Sequence, residues 1–208
     1  MEKSKLILGD AKSFSLKADI MLTDPPYDMD GEKLAQIINN YECNHLVLIA
    51  TMGQFIKFAN SSNWKLNFDF ILNGVSPKKS KSRLQPHYVH QNGFYMTRNR
   101  VRSIFDRKRR QRSDVYESNG YWPTIFHAPR NTQGGYAKNM EAITDLLGSF
   151  DAKTVVDPFA GTGTTGWAAI EVGMKYTLIE KDPVAFEALE QAFLFTGCSF
   201  DVVGRGGK

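Results

Sequence analysis

The sequence predicts an α/β fold in which a mixed, mainly parallel sheet is covered by helices on both faces. Short, continuously apolar runs such as HLVLIAT (residues 45–51) are typical of strands buried on both faces. These runs alternate with segments whose apolar residues recur at helical spacing. The alternation stops between residues 74 and 135 and then resumes. A chain of 208 residues is long enough for one well-packed domain, so a single domain is expected over residues 1–208.

The individual elements are predicted from hydrophobic periodicity and from turn residues. Strands are predicted at residues 19–23, 45–51, 64–73, 87–97, 153–157, 176–180 and 199–203. Helices are predicted at residues 31–40, 52–60, 138–148, 164–172 and 183–195. Gly148 and Gly173 stand at the ends of two of these helices, and Pro183 occupies the first turn of another, as is common at helix termini.

Composition predicts a globular protein without a membrane segment or a metal site. Hydrophobic residues make up 42% of the chain, but no apolar stretch is long enough to cross a membrane. The first ten residues lack the features of a signal peptide. The two cysteines, Cys43 and Cys198, form no CxxC pair, and with four scattered histidines they are a poor ligand set. We therefore expect a protein of the reducing cytoplasm that binds no metal.

Positive charge is concentrated in one part of the chain. Residues 78–112 contain twelve Lys or Arg and one acid, a net charge of +11, whereas the rest of the chain carries −7. Such a block is often a solvated surface, but it also suits a polyanionic partner. Residues 78–126 are termed the basic insert below. Its candidate nucleic-acid-binding residues are Lys78, Lys79, Lys81, Arg83, Arg98, Arg100, Arg102, Arg107, Lys108, Arg109, Arg110 and Arg112.

A glycine-rich turn between a predicted strand and a predicted helix indicates a nucleoside site. Gly161, Gly163 and Gly166 match the pattern G-x-G-x-x-G, and Glu180 ends the next predicted strand. In this context the glycines allow close approach of the ligand, and the acid accepts hydrogen bonds from ribose hydroxyls. The alternative is a turn that is needed only for tight packing of helix against strand.

The acid before the glycine turn bears on which nucleoside is bound. Asp157 ends a predicted strand four residues before Gly161, where it would repel the pyrophosphate of a dinucleotide. It would attract the ammonium group of S-adenosylmethionine, which carries adenosine but no phosphate. The sign of the charge therefore favours a methyl donor over NAD, although an Asp at a strand end also caps turns.

The run TDPPY, residues 23–27, ends an apolar predicted strand with an acid, two prolines and an aromatic ring. Adjacent prolines continue neither a sheet ladder nor a helix, so the chain must turn here. Turns beyond the carboxyl ends of strands are where α/β sheets bind ligands. Taken alone, the run is better explained as a surface turn.

Together the two motifs resemble the beta group of the amino-group DNA methyltransferases. Asp24-Pro25-Pro26-Tyr27 comes first, and Asp157-Pro158-Phe159-Ala160-Gly161-Thr162-Gly163-Thr164 comes far downstream, which is the order of that group. The resemblance covers most of the chain and implies a Rossmann-like sheet in circularly permuted methyltransferase order. It implies S-adenosyl-L-methionine as cofactor, DNA as substrate, and a bacterial or phage-encoded source. It leaves a homodimer and a cognate nuclease open.

The resemblance also implies roles for individual residues. Asp24 and the Pro25 carbonyl would accept hydrogen bonds from the amino group of the target base. Pro26 would stiffen the turn, and Tyr27 would stack on the base once it has left the duplex. The cofactor-binding residues implied are Asp24, Lys138, Asp157, Phe159, Gly161, Gly163, Thr164 and Glu180. Lys138 matches a lysine of the group's carboxylate-binding segment, but the two prolines and the histidine of that pattern are missing here.

The acid of the tetrapeptide favours adenine N6 as the methylated position, because members that methylate cytosine N4 more often carry Ser there. Sequence specificity is expected to be short or relaxed, since Lys and Arg contact phosphates more than bases. Methylation of cytosine N4 or of RNA adenine remains an alternative, as do a nicotinamide-dependent oxidoreductase and a non-catalytic nucleic-acid-binding subunit. Cytosine ring-carbon methylation is disfavoured, because it needs a thiolate nucleophile.

Overall fold

The computed structural model of the protein describes residues 3–78, 88–106, 109, 124–127 and 140–204, and their strands form one sheet. The strands are β1 Ser4–Leu8, β2 Ile20–Thr23, β3 His45–Ala50, β4 Lys65–Lys78, β5 Tyr88–Thr97, β6 Ile125–His127, β7 Thr154–Asp157, β8 Lys175–Glu180 and β9 Phe200–Val203. The helices are α1 Gly31–Asn39, α2 Met52–Asn60, α3 Met140–Gly148, α4 Thr164–Glu171 and α5 Pro183–Phe195, with a 3-10 turn at Ala11–Ser13.

The strand order places the two motif strands side by side at the centre of the sheet. The order is β6-β4-β5-β3-β2-β7-β8-β1-β9. β2 and β7 are parallel neighbours, with Ile20 opposite Val155 and Met21 opposite Val156. Among the described strands only β5 runs against its neighbours, β3 and β4. The prediction of a mixed, mainly parallel sheet is therefore confirmed.

Helices cover both faces of the sheet, as predicted, and each face has its own apolar core. Because side chains alternate along a strand, Ile20 and Leu22 of β2 face the core that packs against α3, α4 and α5. Met21 faces the opposite core, which packs against α1 and α2. The strands are apolar on both faces, so their sequence shows continuous hydrophobic runs instead of alternation.

Side chains at the helix starts fix the turns that leave the strands. Asp30 caps α1 by accepting from the Glu32 N–H at 2.9 Å, and Asp182 caps α5 by accepting from the Val184 N–H at 2.8 Å. Each cap satisfies a backbone donor that has no partner within its helix. These caps explain why the helices begin where the sequence predicts, within a few residues of the strand ends.

Two strands were not predicted, and one is longer than predicted. β1 and the three-residue β6 pair with β8 and β4 respectively, and β4 continues to Lys78. β5 and the first two residues of β6 fall within the basic insert and belong to the sheet, so part of that range is framework. Within the described ranges, no helix has both the length and the hydropathy needed to span a membrane. No cluster of three metal-ligating side chains occurs among the same residues.

Candidate active site

The carboxyl ends of the parallel strands define one edge of the sheet, here termed the carboxyl rim, and both motifs lie along it. β2 ends at Thr23, directly before Asp24, and its neighbour β7 ends at Asp157. The next strand, β8, ends at Glu180, which is opposite Leu8 of β1. The acid–Pro–Pro–Tyr turn, the glycine turn and Glu180 therefore share one edge, as expected for residues that each follow a predicted strand of a mainly parallel sheet.

A buried carboxyl group joins the two motifs. The Thr23 hydroxyl donates to Oδ1 of Asp157 at 2.8 Å, and the Thr165 hydroxyl donates to Oδ2 at 2.6 Å. The Phe159 N–H also donates to Oδ1, at 3.0 Å. One side chain thereby connects the end of β2, the turn after β7 and the first turn of α4.

This geometry corrects the expected role of Asp157. The residue has 0% relative exposure, and its two oxygens already accept three hydrogen bonds from within the protein. In this arrangement the carboxyl group has no exposed surface with which to contact the ammonium group of a ligand. Asp157 instead holds the elements that form the site, and the sequence could not reveal this because Thr23 is distant along the chain.

The glycine turn is closed by hydrogen bonds to β8. Gly161 has φ +52°, which suits glycine, and its N–H donates to Oε2 of Glu180 at 2.9 Å. Oε1 of Glu180 accepts from the Asp182 N–H at 2.9 Å. Glu180 is partly exposed, and a carboxylate offers about four acceptor positions, so its oxygens remain able to accept from ribose hydroxyls.

The three glycines of the motif have different structural roles. A Cβ on Gly161 would meet no atom within 4 Å, so the backbone there borders open space. A Cβ on Gly163 would lie 2.4 Å from Cδ1 of Leu189, and one on Gly166 would lie 2.7 Å from Cζ of Phe193. Gly163 and Gly166 therefore allow α4 to pack closely on α5. Only Gly161 is placed to admit a ligand.

The groups around Gly161 are of the kinds that the sequence analysis associates with adenosine binding. The exposed glycine backbone, the acid at the end of β8 and the half-buried ring of Phe159 adjoin the same turn. Thr164 begins α4 and is 7% exposed, so little of its side chain faces the space beside Gly161. Lys138, the expected partner of the cofactor carboxylate, lies outside the described residues.

The acid–Pro–Pro–Tyr turn has Asp24 and Tyr27 partly buried, Pro25 buried and Pro26 exposed. The Met29 N–H donates to the Pro26 carbonyl at 3.0 Å and closes a tight turn. Asp30 is the N-terminal cap of α1, so only three residues separate Pro26 from the helix cap. The prolines fix two successive φ angles, which makes the tetrapeptide stiff.

Two glutamines that sequence reasoning missed contact this turn. Gln54 of α2 donates from Nε2 to the carbonyl oxygens of Pro26 and Met29, both at 3.0 Å. Gln91 of β5 donates from Nε2 to the Tyr27 hydroxyl. No local sequence signal distinguishes them from surface glutamines, because their partners lie on other elements.

Asp10 is a further carboxylate at the carboxyl rim, and sequence reasoning missed it. It follows β1, and the N–H of the preceding Gly9 donates to the Glu180 carbonyl at 2.9 Å. The backbone N–H of Lys12 donates to Asp10 and holds the pKa of that carboxyl below its usual range, with the Lys12 ammonium adding to the effect. Asp10 is therefore an ionised acceptor next to the cofactor side of the rim.

The basic residues that directly follow β5 lie on the opposite edge of the sheet, here termed the amino rim. β5 is antiparallel to β3, so its last residue, Thr97, lies opposite His45 at the start of β3. Arg98 donates to the carbonyl oxygens of Asn39 at 3.4 Å, Cys43 at 2.6 Å and Tyr41, and it stacks over Trp64 at 4.7 Å.

These contacts bear on the predicted nucleic-acid surface, because they occupy the Arg98 guanidinium group. Arg98 joins the end of β5 to the segment between α1 and β3 through these hydrogen bonds. The exposed Arg100 and Arg102 follow it at the amino rim. Arg109 forms a 3.0 Å salt bridge with Asp151, which precedes β7 and so lies at the same edge. None of these four arginines lies near the acid–Pro–Pro–Tyr turn.

The hairpin of β4 and β5 extends past the carboxyl rim. Asn92 is opposite Ala50, the last residue of β3, and the hairpin continues to the pair formed by Lys78 and Tyr88. The backbone of Lys78 therefore lies on the same side of the sheet as Asp24. The remaining predicted nucleic-acid contacts fall outside the described residues; they are Lys79, Lys81, Arg83, Arg107, Lys108, Arg110 and Arg112.

Other polar features of the described chain lie away from this edge. Cys43 is at the amino rim, and its burial raises the pKa of the thiol to about 11. An open polar hollow of about 490 Å³ lies there too, lined by Asn39, Asn60, Ser61, Ser62, Asn63 and Arg98. Neither feature adjoins the two motifs at the carboxyl rim.

A nucleoside-binding glycine turn beside an acid–Pro–Pro–Tyr turn, on this sheet, defines a methyltransferase of Rossmann-like fold. A family model described as DNA methylase matches residues 36–191, and the chain therefore belongs to the DNA methylase family. The family comprises S-adenosyl-L-methionine-dependent enzymes that methylate amino groups of DNA bases. S-adenosyl-L-methionine is accordingly the cofactor, and DNA is the substrate. No curated protein sequence matches the chain.

Solved structures share the fold at low sequence identity. M1.HpyAVI in its complex with SAM is 19% identical, with a TM-score of 0.66 over 90% of this chain and 99% of that one. TTHA0409 of Thermus thermophilus, assigned as a DNA modification methylase and complexed with S-adenosyl-L-methionine, is 17% identical, with a TM-score of 0.71 over all of both chains. The cytosine-N4-specific PvuII DNA methyltransferase is 14% identical, with a TM-score of 0.69 over 96% of this chain and 89% of that one.

Proposed function

We propose that the protein methylates the exocyclic N6 of adenine in DNA. The observation that carries the proposal is the 2.8 Å hydrogen bond between Thr23 and Asp157, which ties the strand before Asp24 to the strand before the glycine turn. The acid at position 24 supports adenine over cytosine, because in the group that the sequence resembles an acid there is typical of adenine methylation.

The amino group of adenine is a poor nucleophile, because its lone pair is delocalised into the ring. Asp24 Oδ and the Pro25 carbonyl would accept hydrogen bonds from its two N–H bonds and so favour a pyramidal nitrogen with an available lone pair. The two prolines hold the carbonyl in place before the base arrives, so the acceptors need no rearrangement during the reaction.

Tyr27 would bind the target base after it has left the duplex. Its ring is partly exposed at the rim, and base–aromatic stacking contributes about 1–3 kcal/mol per base. Stacking tolerates any base, so it supports extrusion of the nucleotide and leaves recognition of the amino group to Asp24 and Pro25.

On the cofactor side, Glu180 would accept from the ribose hydroxyls, and the open space at Gly161 would receive the nucleoside. When bound, S-adenosyl-L-methionine would supply an activated methyl group for transfer to the amino nitrogen, leaving S-adenosylhomocysteine and a proton that passes to solvent. The protein's contribution would be orientation, because its two turns would hold donor and acceptor in line.

Binding to DNA would depend on the basic residues that follow β4 more than on those that follow β5. The hairpin end at Lys78 lies on the side of Asp24, and Lys79, Lys81 and Arg83 come next along the chain. Because such residues contact phosphates, we propose a short or relaxed recognition sequence. A strict site longer than about six base pairs would contradict this part of the proposal.

The test is transfer of an isotope-labelled methyl group to unmethylated DNA and, in parallel, to RNA of matched sequence. Nucleosides released by digestion are separated and identified by mass spectrometry. We expect labelled N6-methyldeoxyadenosine from DNA. Labelled N4-methyldeoxycytidine would overturn the choice of base, and label in RNA alone would overturn the choice of nucleic acid.

A further inference from the structure

Gln54 fixes a peptide plane in the acid–Pro–Pro–Tyr turn. The residue is 5% exposed, and its Nε2 donates to the Pro26 carbonyl and to the Met29 carbonyl, each at 3.0 Å. The Pro26 carbonyl also accepts from the Met29 N–H at 3.0 Å. Two donors therefore hold the oxygen between Pro26 and Tyr27, and that plane cannot rotate without breaking both bonds.

Capping at the start of α2 does not explain the direction of the Gln54 side chain. Thr51-Met52-Gly53-Gln54 has the spacing of a capping box, in which the fourth residue would bond back to the Thr51 N–H. Thr51 does cap the Gln54 N–H, at 3.2 Å, but the Gln54 side chain is directed across to the turn. Among the described residues its buried Oε1 has no hydrogen-bond partner. An unpaired buried acceptor is unfavourable, so the stability of α2 alone does not explain why a glutamine occupies this position.

Gln91 contacts the same turn from the other side. It lies on β5 next to Asn92, which is opposite Ala50 at the carboxyl rim. Its Nε2 donates to the hydroxyl of Tyr27, and its own buried Oε1 has no partner within the described part of the chain. This hydrogen bond holds the far end of the Tyr27 ring, whereas Gln54 holds the backbone that carries it.

We propose that Gln54 and Gln91 are positioning residues for methyl transfer. Together they hold the Pro26–Tyr27 peptide and the Tyr27 ring in one arrangement, so that the Pro25 carbonyl and the ring face the target base as a preformed unit. The proposal rests on the proposed function of the Asp24 turn. Neither glutamine is required to touch the cofactor. Displacing a reacting group by about 1 Å costs on the order of 100-fold in rate, so small movements of this turn have large effects.

The first test replaces Gln54 by Met, which has similar volume but no donor. We expect Q54M to lower kcat by at least about tenfold while the Kd for S-adenosylmethionine stays within about twofold, because the cofactor contacts are elsewhere. Lys57→Met is the matched control: Lys57 also links α2 to the α1 region, through a 2.7 Å salt bridge to Asp30, but it does not contact the tetrapeptide. A Q54M protein with the kcat of the parent, or a K57M protein with an equal loss, would overturn the proposal.

The second test is a double-mutant cycle of Gln91→Leu and Tyr27→Phe. If Gln91 acts through the Tyr27 hydroxyl, Q91L lowers kcat in the parent protein but has no further effect in the Y27F protein. Additive losses in the double variant would show that Gln91 acts elsewhere and would refute its assigned role.

Asp24→Ala, assayed in parallel, separates the two proposals. Full activity of D24A would refute the proposed function itself, whatever the glutamine variants do. An inactive D24A protein combined with parental kcat in both Q54M and Q91L would refute only the positioning role.

Discussion

The Thr23 hydroxyl donates a 2.8 Å hydrogen bond to Asp157 across 134 positions of sequence. Thr23 precedes the proposed catalytic acid, and Asp157 precedes the glycine turn, so one buried contact sets the distance between the two halves of the site. Thr165 adds a 2.6 Å bond from α4 to the same carboxyl group. A change at any of these side chains should therefore affect stability and the alignment of the site together.

Asp157→Ala should destabilise the protein by about 3–5 kcal/mol, because it leaves two buried hydroxyls and the Phe159 N–H without their acceptor. Thr23→Val should cost about 1–2 kcal/mol, since only one donor is lost and the shape is retained. Urea unfolding followed by circular dichroism measures both. If Asp157→Ala kept parental stability and only weakened binding of S-adenosylmethionine, the role of Asp157 would be that of a direct ligand.

Asp24→Ala should lower kcat by about 100- to 1000-fold, the usual loss when one preorganised hydrogen-bonding group is removed from an active site. The Kd for S-adenosylmethionine, measured by calorimetry, should change little because the glycine turn is intact. Asp28→Ala is the matched control, since Asp28 is an acid four positions further along the same loop. An equal loss in both variants would point to general damage of the loop instead of catalysis by Asp24.

Helices and strands were predicted correctly where residues at their own ends, such as capping residues and prolines, determine the boundaries. The helix Pro183–Phe195 begins and ends where the sequence indicates, because Asp182 caps it and Pro183 suits its first turn. The three-residue strand Ile125–His127 was missed because it exists only through pairing with β4, which no local pattern reports. The shared edge of the two motifs was predicted, since it follows from the direction of parallel strands.

Chain direction and burial explain the errors at the site. Arg98 follows a strand, but β5 runs antiparallel to β3 and so delivers it to the amino rim, and periodicity carries no information on direction. The charge of Asp157 could be read from the sequence, but its burial depends on Thr23 and Thr165, which reach it only in the folded chain. Contact of Lys79, Lys81 and Arg83 with DNA stays a prediction, because these residues lie outside the described ranges.

Gly161→Ala should mainly weaken cofactor binding, whereas Gly166→Ala should mainly lower the stability of the protein. Alanine at Gly161 meets no neighbour but must adopt φ +52°, a strain of about 1–2 kcal/mol, and its methyl group enters the space proposed for the nucleoside. We expect at least about tenfold weaker binding of S-adenosylmethionine, equivalent to about 1.4 kcal/mol. Alanine at Gly166 would lie 2.6 Å from Leu178, so it should cost about 1–3 kcal/mol of stability. Calorimetric binding and thermal unfolding of both variants separate these effects.

Cys43 should resist alkylation. Burial raises its pKa to about 11, so the thiol stays protonated at pH 8, and the thiol form is the less reactive one. Cys198 is partly exposed and should react with iodoacetamide well before Cys43 does. Peptide mass spectrometry of the folded protein identifies the modified residue. Rapid labelling of Cys43 would mean that the amino rim opens readily in solution.

Removing charge from two different segments of the basic insert should affect DNA binding unequally. Arg100 and Arg102 are exposed but lie at the amino rim, away from the Asp24 turn, so replacing both by Gln should change the Kd for DNA by less than about twofold. Replacing Lys79 and Lys81 by Gln removes the same charge from the segment that follows the hairpin strand on the Asp24 side. If both lysines contact phosphates, the slope of log K against log salt should fall by about 1.8, because each contact contributes about 0.9. Titrations by fluorescence anisotropy at several salt concentrations measure both slopes, and a larger change for the arginine pair would assign the DNA surface to the amino rim.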